Sequence, residues 1–512
     1  MYRQLTYNTV WQGINVAANA ILGVALTPYF INTLGTEQYG LWVFAASLSV
    51  SRGVLNLLDF GLQTAVIKFV AEAAARDRHH EIGAILSAAL IGYAVLGVAM
   101  AMLIGGVGLW GINLVVALFH VPTGLSGVMQ GFLLLTAAQT LIDFPALAVS
   151  GVLSGLQRYD VTRIWNLIRL LVFAGASIGL ILLGTGVYAL MLATSLSEVV
   201  RLIGHLYWLR RLLPEIRLTR QIAPDMARSL MGFSAQLFGY QLLRLVYQGM
   251  DKAIIALVLT TTLLTDYDVS AQIFALAYAC LTLIGMLAAP VATTFYTRGQ
   301  QAELTQLLLR VTRYTAACAV PVALIGMVLA VPVTAAWVGM QFVHTAPATA
   351  WFLSYVLFWA LVQSGQNLLI GVGRVDVILP IFGVGTLVNL IVSVVAAPTL
   401  GVLGVIVGTV IGNALACVLY LIVFRQVFDL RLGRLWSGVF LRVYPQASIG
   451  ALVAAGLAAW RTPRSLLSVG LEGGIGFLVF ALLFVLTGLP ADEQALVRNE
   501  IRRIRAVLLK SS

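Results

Sequence analysis

Four polar residues, Gln241, Arg244, Gln248 and Asp251, follow one another at spacings of three, four and three, the periodicity of one helix face, within an otherwise apolar stretch. Arg244 there offers a planar fork of donors that suits a diphosphate, and Asp251 would hold a cation or an arginine when the site is empty. Asn8, Gln12, Asn15 and Asn19 repeat the pattern near the N-terminus. Their amides both donate and accept, so Asn15 and Asn19, with Gln241 and Gln248, suit sugar hydroxyls; bonding between helices is the rival use. Arg52, with Asn56 and Asp59 on its face, is a second candidate for a phosphate, with snorkelling to the nearby membrane surface as its alternative. Arg169 follows Arg163 and Asn166 at spacings of three, a third basic stripe. Glu198, Arg201 and His205 read as a local ion pair on one helix. Asp143, one turn after Gln139 and two residues before Pro145, is a candidate coupling carboxylate for a proton or a sodium ion.

These residues need elements that hold them at membrane depth. Of 512 residues, 60% are hydrophobic and 10% charged, against roughly 25% charged in soluble domains. At about 20 residues per spanning helix, this composition fills a membrane many times over, and the longest polar interruptions, near 59–81 and 208–230, are too short to bury a soluble enzyme core. Apolar runs bounded by Gly, Pro and charge predict spans at 8–31, 39–58, 82–110, 128–150, 162–184, 186–208, 231–262, 268–294, 313–338, 347–371, 375–397, 401–424, 442–460 and 466–488. The expected fold is thus an all-α polytopic membrane protein of about 14 transmembrane helices.

The net charge of +11 raises the question of nucleic acid, but the basic residues sit mainly between apolar runs. With the N-terminus inside, 24 of the 31 Lys and Arg fall on the inner side, only Arg461 and Arg464 fall outside, and the rest lie within spans. That asymmetry predicts a multi-pass protein with both termini cytoplasmic and no nucleic-acid partner. The basic segments 62–78 and 208–228 read as cytoplasmic, in contact with membrane lipids. Cys280, Cys318 and Cys417 lack metal-ligand spacing, and no Gly-rich run is followed by Lys-Ser or Lys-Thr. No metal, cofactor or direct use of ATP is expected.

The chain also repeats. Gly155-x-x-Arg158-x-Asp160-Val161 recurs as Gly371-x-x-Arg374-x-Asp376-Val377 at an offset of 216, and Gly186-Val187 with Thr194 recurs as Gly401-Val402 with Thr409 at an offset of 215. Six spans separate the copies, so the halves share one orientation and should flank a cavity. The reading divides the chain into an N-lobe at 1–210, a C-lobe at 211–424, and spans 13 and 14 with a basic tail at 425–512.

The run Pro28-Tyr-Phe-Ile-Asn-Thr-Leu-Gly35-Thr-Glu-Gln-Tyr39-Gly40, then Leu58-Asp59-Phe-Gly61 with Ala65 and Lys68, Gly155-Leu-Gln-Arg158-Tyr, Asp251 to Tyr267, and Gly401…Gly404…Gly408-Thr409 resemble the polysaccharide transporters of the multidrug/oligosaccharidyl-lipid/polysaccharide exporter superfamily, which includes O-antigen flippases. The resemblance implies two six-helix lobes in a V around a central cavity, to which spans 13 and 14, outside the repeat, add two extra C-terminal helices. It also implies transfer of an isoprenoid-diphosphate-linked oligosaccharide across a bacterial inner membrane by alternating access, without enzymatic chemistry. Partners would be the lipid-linked oligosaccharide, membrane lipids, a coupling proton or sodium ion and polysaccharide-synthesis proteins. The alternatives are a cation-coupled multidrug exporter of the same superfamily and a membrane scaffold of polysaccharide synthesis that does not transport.

Overall fold

Lipid offers no hydrogen bonds to an exposed backbone, so a chain this apolar must satisfy its peptide groups within helices. The computed structural model describes residues 2–50, 55, 59, 61–76, 78–214, 249–461, 465–490 and 493–494; among them the chain is helical and has no strand. The first part comprises α1 (Tyr2–Leu34), α2 (Thr36–Leu48), α3 (Leu62–Ala75), α4 (His79–Trp110), α5 (Ile112–Leu118), α6 (Ser126–Gly155), α7 (Tyr159–Leu182), α8 (Tyr188–Leu212) and α9 (249–258). The remainder comprises α10 (Leu264–Thr297), α11 (Gln301–Val328), α12 (Ala330–Trp337), α13 (Ala346–Trp359), α14 (Gln363–Gly371), α15 (Ile378–Leu400), α16 (Val402–Val427), α17 (Leu432–Leu435), α18 (Leu441–Arg461) and α19 (Leu466–Leu483). Among the described residues, nine helical stretches are long and apolar enough to cross a bilayer, ten if the bent pair ending in α14 counts as one. Apolar side chains point outward along them, Trp110 at 84% exposure and Leu182 at 77%, as a lipid-facing surface requires.

The chain divides into two compact units, Met1–Asp268 with Ser393–Val405, and Val269–Val392 with Ile406–Ser512. Lipid tails are as apolar as leucine, so packing within each unit rests on close approach and on polar contacts more than on escape from water. In the first unit, glycines on α4 meet α6 closely: a Cβ on Gly97 would lie 3.1 Å from the Thr140 carbonyl oxygen, and one on Gly108 3.2 Å from Leu133 Cβ. On its other side α6 presents Gly151 and Gly155 to Val66 and Val70 of α3; a Cβ on Gly155 would stand 2.7 Å from Val70 Cβ. The 62–78 segment, expected as a basic surface stretch, therefore also carries a buried apolar face, with Lys68 and Glu72 4.0 Å apart on its open side. Asp59 starts this helix by accepting from the Gly61 and Gln63 backbone N–H groups at 2.9 and 3.1 Å. Gly204 of α8 admits the Trp165 ring of α7, which would sit 2.1 Å from a Cβ there.

In the second unit, Gly450 and Gly476 bring α18 and α19 together, each lying where a Cβ would be 2.5 Å from the other's carbonyl oxygen. Gly473 of α19 faces Ile325 and Leu329, and the buried Glu472 beside it has neither carboxylate oxygen hydrogen-bonded among the described residues. Arg313 of α11 donates to both oxygens of Glu493 at 2.8 and 2.7 Å, while Tyr314 donates to Glu493 at 2.8 Å and Arg310 lies 3.0 Å from it.

The repeated motif has the same geometry in both copies. α6 and α14 each end in paired bonds, Arg158 N to Leu153 O with Gln157 N to Ser154 O, and Arg374 N to Leu369 O with Gly373 N to Ile370 O. Gln157 and Gly373 take positive φ of 57° and 80°, the left-handed turn that closes a helix this way. Each arginine then grips the aspartate two residues on: Arg158 Nε and Nη2 donate to Asp160 at 3.0 and 2.9 Å, and Arg374 Nε and Nη2 to Asp376 at 3.0 and 3.1 Å. Hydrogen bonds from Arg374 hold the Asp376 carboxyl below its ordinary range. The second landmark matches as well, with Gly186 and Gly401 at φ of 58° and 60°.

Candidate functional site

The glycine contacts that draw α3, α4 and α6 together, and the Gly204 contact of α7 with α8, leave a cavity of about 510 Å³ within the first unit. It is lined from α1 by Asn15 and Asn19, from α3 by Gln63, from α6 by Asp143, Ser150 and Ser154, from α7 by Arg163, Asn166 and Arg169, and from α8 by Glu198, Arg201 and His205. Among these described residues, three arginines face two carboxylates.

Glu198 is the electrostatic centre. Only 2% exposed, it accepts from Arg201 Nε at 2.7 Å and lies 2.6 Å from Arg201 Nη2. Arg169 approaches from α7, its Nη1 3.5 Å from Glu198 Oε1, within ion-pair range but without a hydrogen bond. Its guanidinium, in the lining of the cavity, therefore keeps donors that Glu198 does not take up. The expected local pair on α8 is thus part of a three-residue cluster across two helices, which periodicity along one helix does not reveal.

Asp143 is 2% exposed and accepts from Gln139 Nε2 at 3.0 Å through Oδ2; its Oδ1 has no hydrogen-bond partner among the described residues. Gln139 is fixed by Ser195 Oγ, which donates to its Oε1 at 3.2 Å. Asn15 Nδ2 donates to the Arg163 carbonyl oxygen at 3.2 Å, tying α1 to α7, and Asn19 Nδ2 donates to the Asn15 carbonyl at 3.0 Å. Asn15, Asn19, Arg169 and Asp143 from the sequence reading therefore meet at one cavity.

Asp251 lies elsewhere. On α9 it is buried and accepts from Tyr267 Oη at 3.0 Å. Arg52, Gln241, Arg244 and Gln248 lie outside the described residues. Sequence reasoning missed Gln63, whose Nε2 donates to Ser150 Oγ at 2.8 Å. The available signal was the Gly151-x-x-x-Gly155 spacing on α6, which marks a close helix partner.

The model of the polysaccharide biosynthesis protein family matches residues 5–297. Among curated proteins none matches the chain. Among solved structures, the lipid II flippase MurJ in an inward closed conformation shares 11% identity at a TM-score of 0.69, over 93% of this chain and 98% of that one. An inward-facing multidrug resistance transporter of the MATE family of the MOP superfamily shares 15% identity at a TM-score of 0.67, over 81% and 94%. A MOP superfamily transporter from Pyrococcus furiosus, described as having a binding pocket of reverse polarity, shares 16% identity at a TM-score of 0.52, over 83% and 95%. At these identities the likeness is one of fold: a polytopic all-α membrane protein.

Proposed function

The chain belongs to the polysaccharide biosynthesis protein family, and from that premise we propose that it is a flippase. It carries an isoprenoid-diphosphate-linked oligosaccharide from the inner to the outer leaflet of a bacterial inner membrane, with both termini cytoplasmic. Alternating access is worked by an N-lobe at 1–210 and a C-lobe at 211–424, with spans 13 and 14 and the basic tail at 425–512 outside the repeat. The observation that carries this reading is the cavity in which Arg163, Arg169 and Arg201 outnumber Asp143 and Glu198 beside neutral amides.

A diphosphate is multiply anionic and a sugar is rich in hydroxyls, so the ligand needs cationic donors at one end and amides at the other. Arg169 supplies the first: Glu198 steadies it without taking up its donors. Asn15, Asn19 and Asn166 supply the second, and Asp143 is the candidate for ion coupling. From the sequence pattern, Arg52 and Arg244 add phosphate contacts, Gln241 and Gln248 add sugar contacts, and Asp251 belongs to the same face. The protein does this without catalysing a covalent step.

The buried carboxylates Asp143 and Glu198 favour one other reading, export of a cationic drug. Proteoliposomes separate the two. Flipping of a fluorescent isoprenoid-diphosphate oligosaccharide, lost on Arg169→Gln with folding intact, is expected; ion-driven uptake of ethidium with no lipid-linked sugar transfer would overturn the flippase reading.

A further inference from the structure

We infer that the cavity of the first unit takes up its anionic group together with one proton, which resides on Asp143. This rests on the reading of that cavity as a phosphate site. Among the described residues, Asp143 Oδ1 and both ring nitrogens of His205 lie in its wall without hydrogen-bond partners, at 2% and 1% exposure.

The argument begins from charge. Arg169 and Arg201 are matched one for one by Glu198 and Asp143 when both carboxylates are ionised, so this inner part of the cavity has no net positive charge to offer a phosphate. Arg163, on α7 nearer its start, is the further cation of the lining. Binding an anion at Arg169 is therefore strengthened if one carboxylate is neutralised. Glu198 is already paired with two guanidinium groups, those of Arg201 and Arg169. Asp143, among the described residues, receives only an amide N–H from Gln139. Protonation at Oδ1 also converts an acceptor into an O–H donor in the wall of the same cavity.

Among the described residues, few groups face Asp143. From α8 come Glu198, Arg201 and His205, and from α7 Arg163, Arg169 and Tyr159; the charges of Glu198, Arg201 and Arg169 act on Asp143 directly. α1 and α3 present the amides of Asn15, Asn19 and Gln63. α4, packed along α6, has its buried Tyr93 turned to Asp59, to which it donates at 3.4 Å. A proton taken from solvent by Asp143 on anion binding returns to solvent on release, so proton and anion bind cooperatively and do not displace one another.

The test uses the full-length protein in nanodiscs in weak buffer with a pH indicator, titrated with farnesyl diphosphate between about pH 6 and about pH 8. The Asp143→Asn protein supplies the correction for ionisation of the ligand itself, since its amide imitates the neutral carboxyl. Wild type is expected to take up one proton more per ligand bound, and its Kd to rise toward about tenfold per pH unit at the alkaline end, with a nearly flat profile in Asp143→Asn. A His205→Gln protein retains the extra uptake. Equal uptake in wild type and Asp143→Asn, proton release on binding, or loss of the extra uptake only in His205→Gln would overturn the linkage. Absence of any binding would instead remove the phosphate reading on which it rests.

Discussion

Glu198→Gln separates an anion site from a merely structural ion-pair cluster, because only the first account predicts a gain in ligand affinity. Glu198 is 2% exposed and holds Arg201 at 2.6 Å and Arg169 at 3.5 Å. Glutamine preserves the shape and one acceptor but removes the negative charge. Breaking a buried pair by neutralising one member costs about 3–5 kcal/mol of stability, so the variant denatures earlier than wild type. A phosphate resting on the far side of the Arg169 guanidinium would lie about 7 Å from the Glu198 carboxylate, where repulsion at an effective dielectric of ~20 amounts to roughly 2.4 kcal/mol. Relieving it tightens binding by up to about 50-fold. Microscale thermophoresis of farnesyl diphosphate against nanodisc-held protein at low salt reads this directly, alongside a thermal melt. Tighter binding with a lowered melt, and slower turnover because release is impeded, is the expected pattern. Unchanged or weaker binding in a folded Glu198→Gln protein would refute the claim that Arg169 and Arg201 face the anion.

Three structural predictions accompany it. Gly204→Val drives a side chain into the Trp165 ring, 2.1 Å from where its Cβ would lie, and should cost about 1–3 kcal/mol or more, read as a lower melting temperature and poorer recovery. Glu493→Ala leaves Arg313 buried and unpaired and should cost about 3–5 kcal/mol, whereas joint replacement by Arg313→Met and Glu493→Leu should recover most of it; an equal loss in single and double variants would count against the pair. Tyr39→Phe removes a 2.7 Å bond to Asp268 and should cost about 1.5–3 kcal/mol, with faster amide exchange across 261–268 as its local signature.

The helical fold follows from apolar run length and from the inability of lipid to hydrogen-bond a peptide, both visible in the sequence. The repeat was visible for the same local reason: a helix-ending turn with an Arg-x-Asp clamp is written in seven consecutive residues, and Leu153 to Asp160 has the same bonds as Leu369 to Asp376. The site was legible one helix at a time. Spacing placed Arg163, Asn166 and Arg169 on one stripe, and Glu198, Arg201 and His205 on another, and the cavity brings both together. What spacing does not carry is the partner across the gap. Arg169 reaches Glu198 from a different helix, and Asp251, grouped by periodicity with Arg244, is bonded to Tyr267 sixteen residues further on. Segment 62–75 shows the same limit: its Lys68 and Glu72 advertise a surface, while Val66 and Val70 become core only because Gly151 and Gly155 of α6 have no side chains to exclude them.

The most direct test is a cryo-electron-microscopy reconstruction of the protein with farnesyl diphosphate bound. The account predicts phosphate density within hydrogen-bond reach of the Arg169 guanidinium, inside the cavity lined by α1, α6, α7 and α8. Diphosphate held elsewhere, with Arg169 directed only at Glu198 and the cavity filled by water alone, would contradict it.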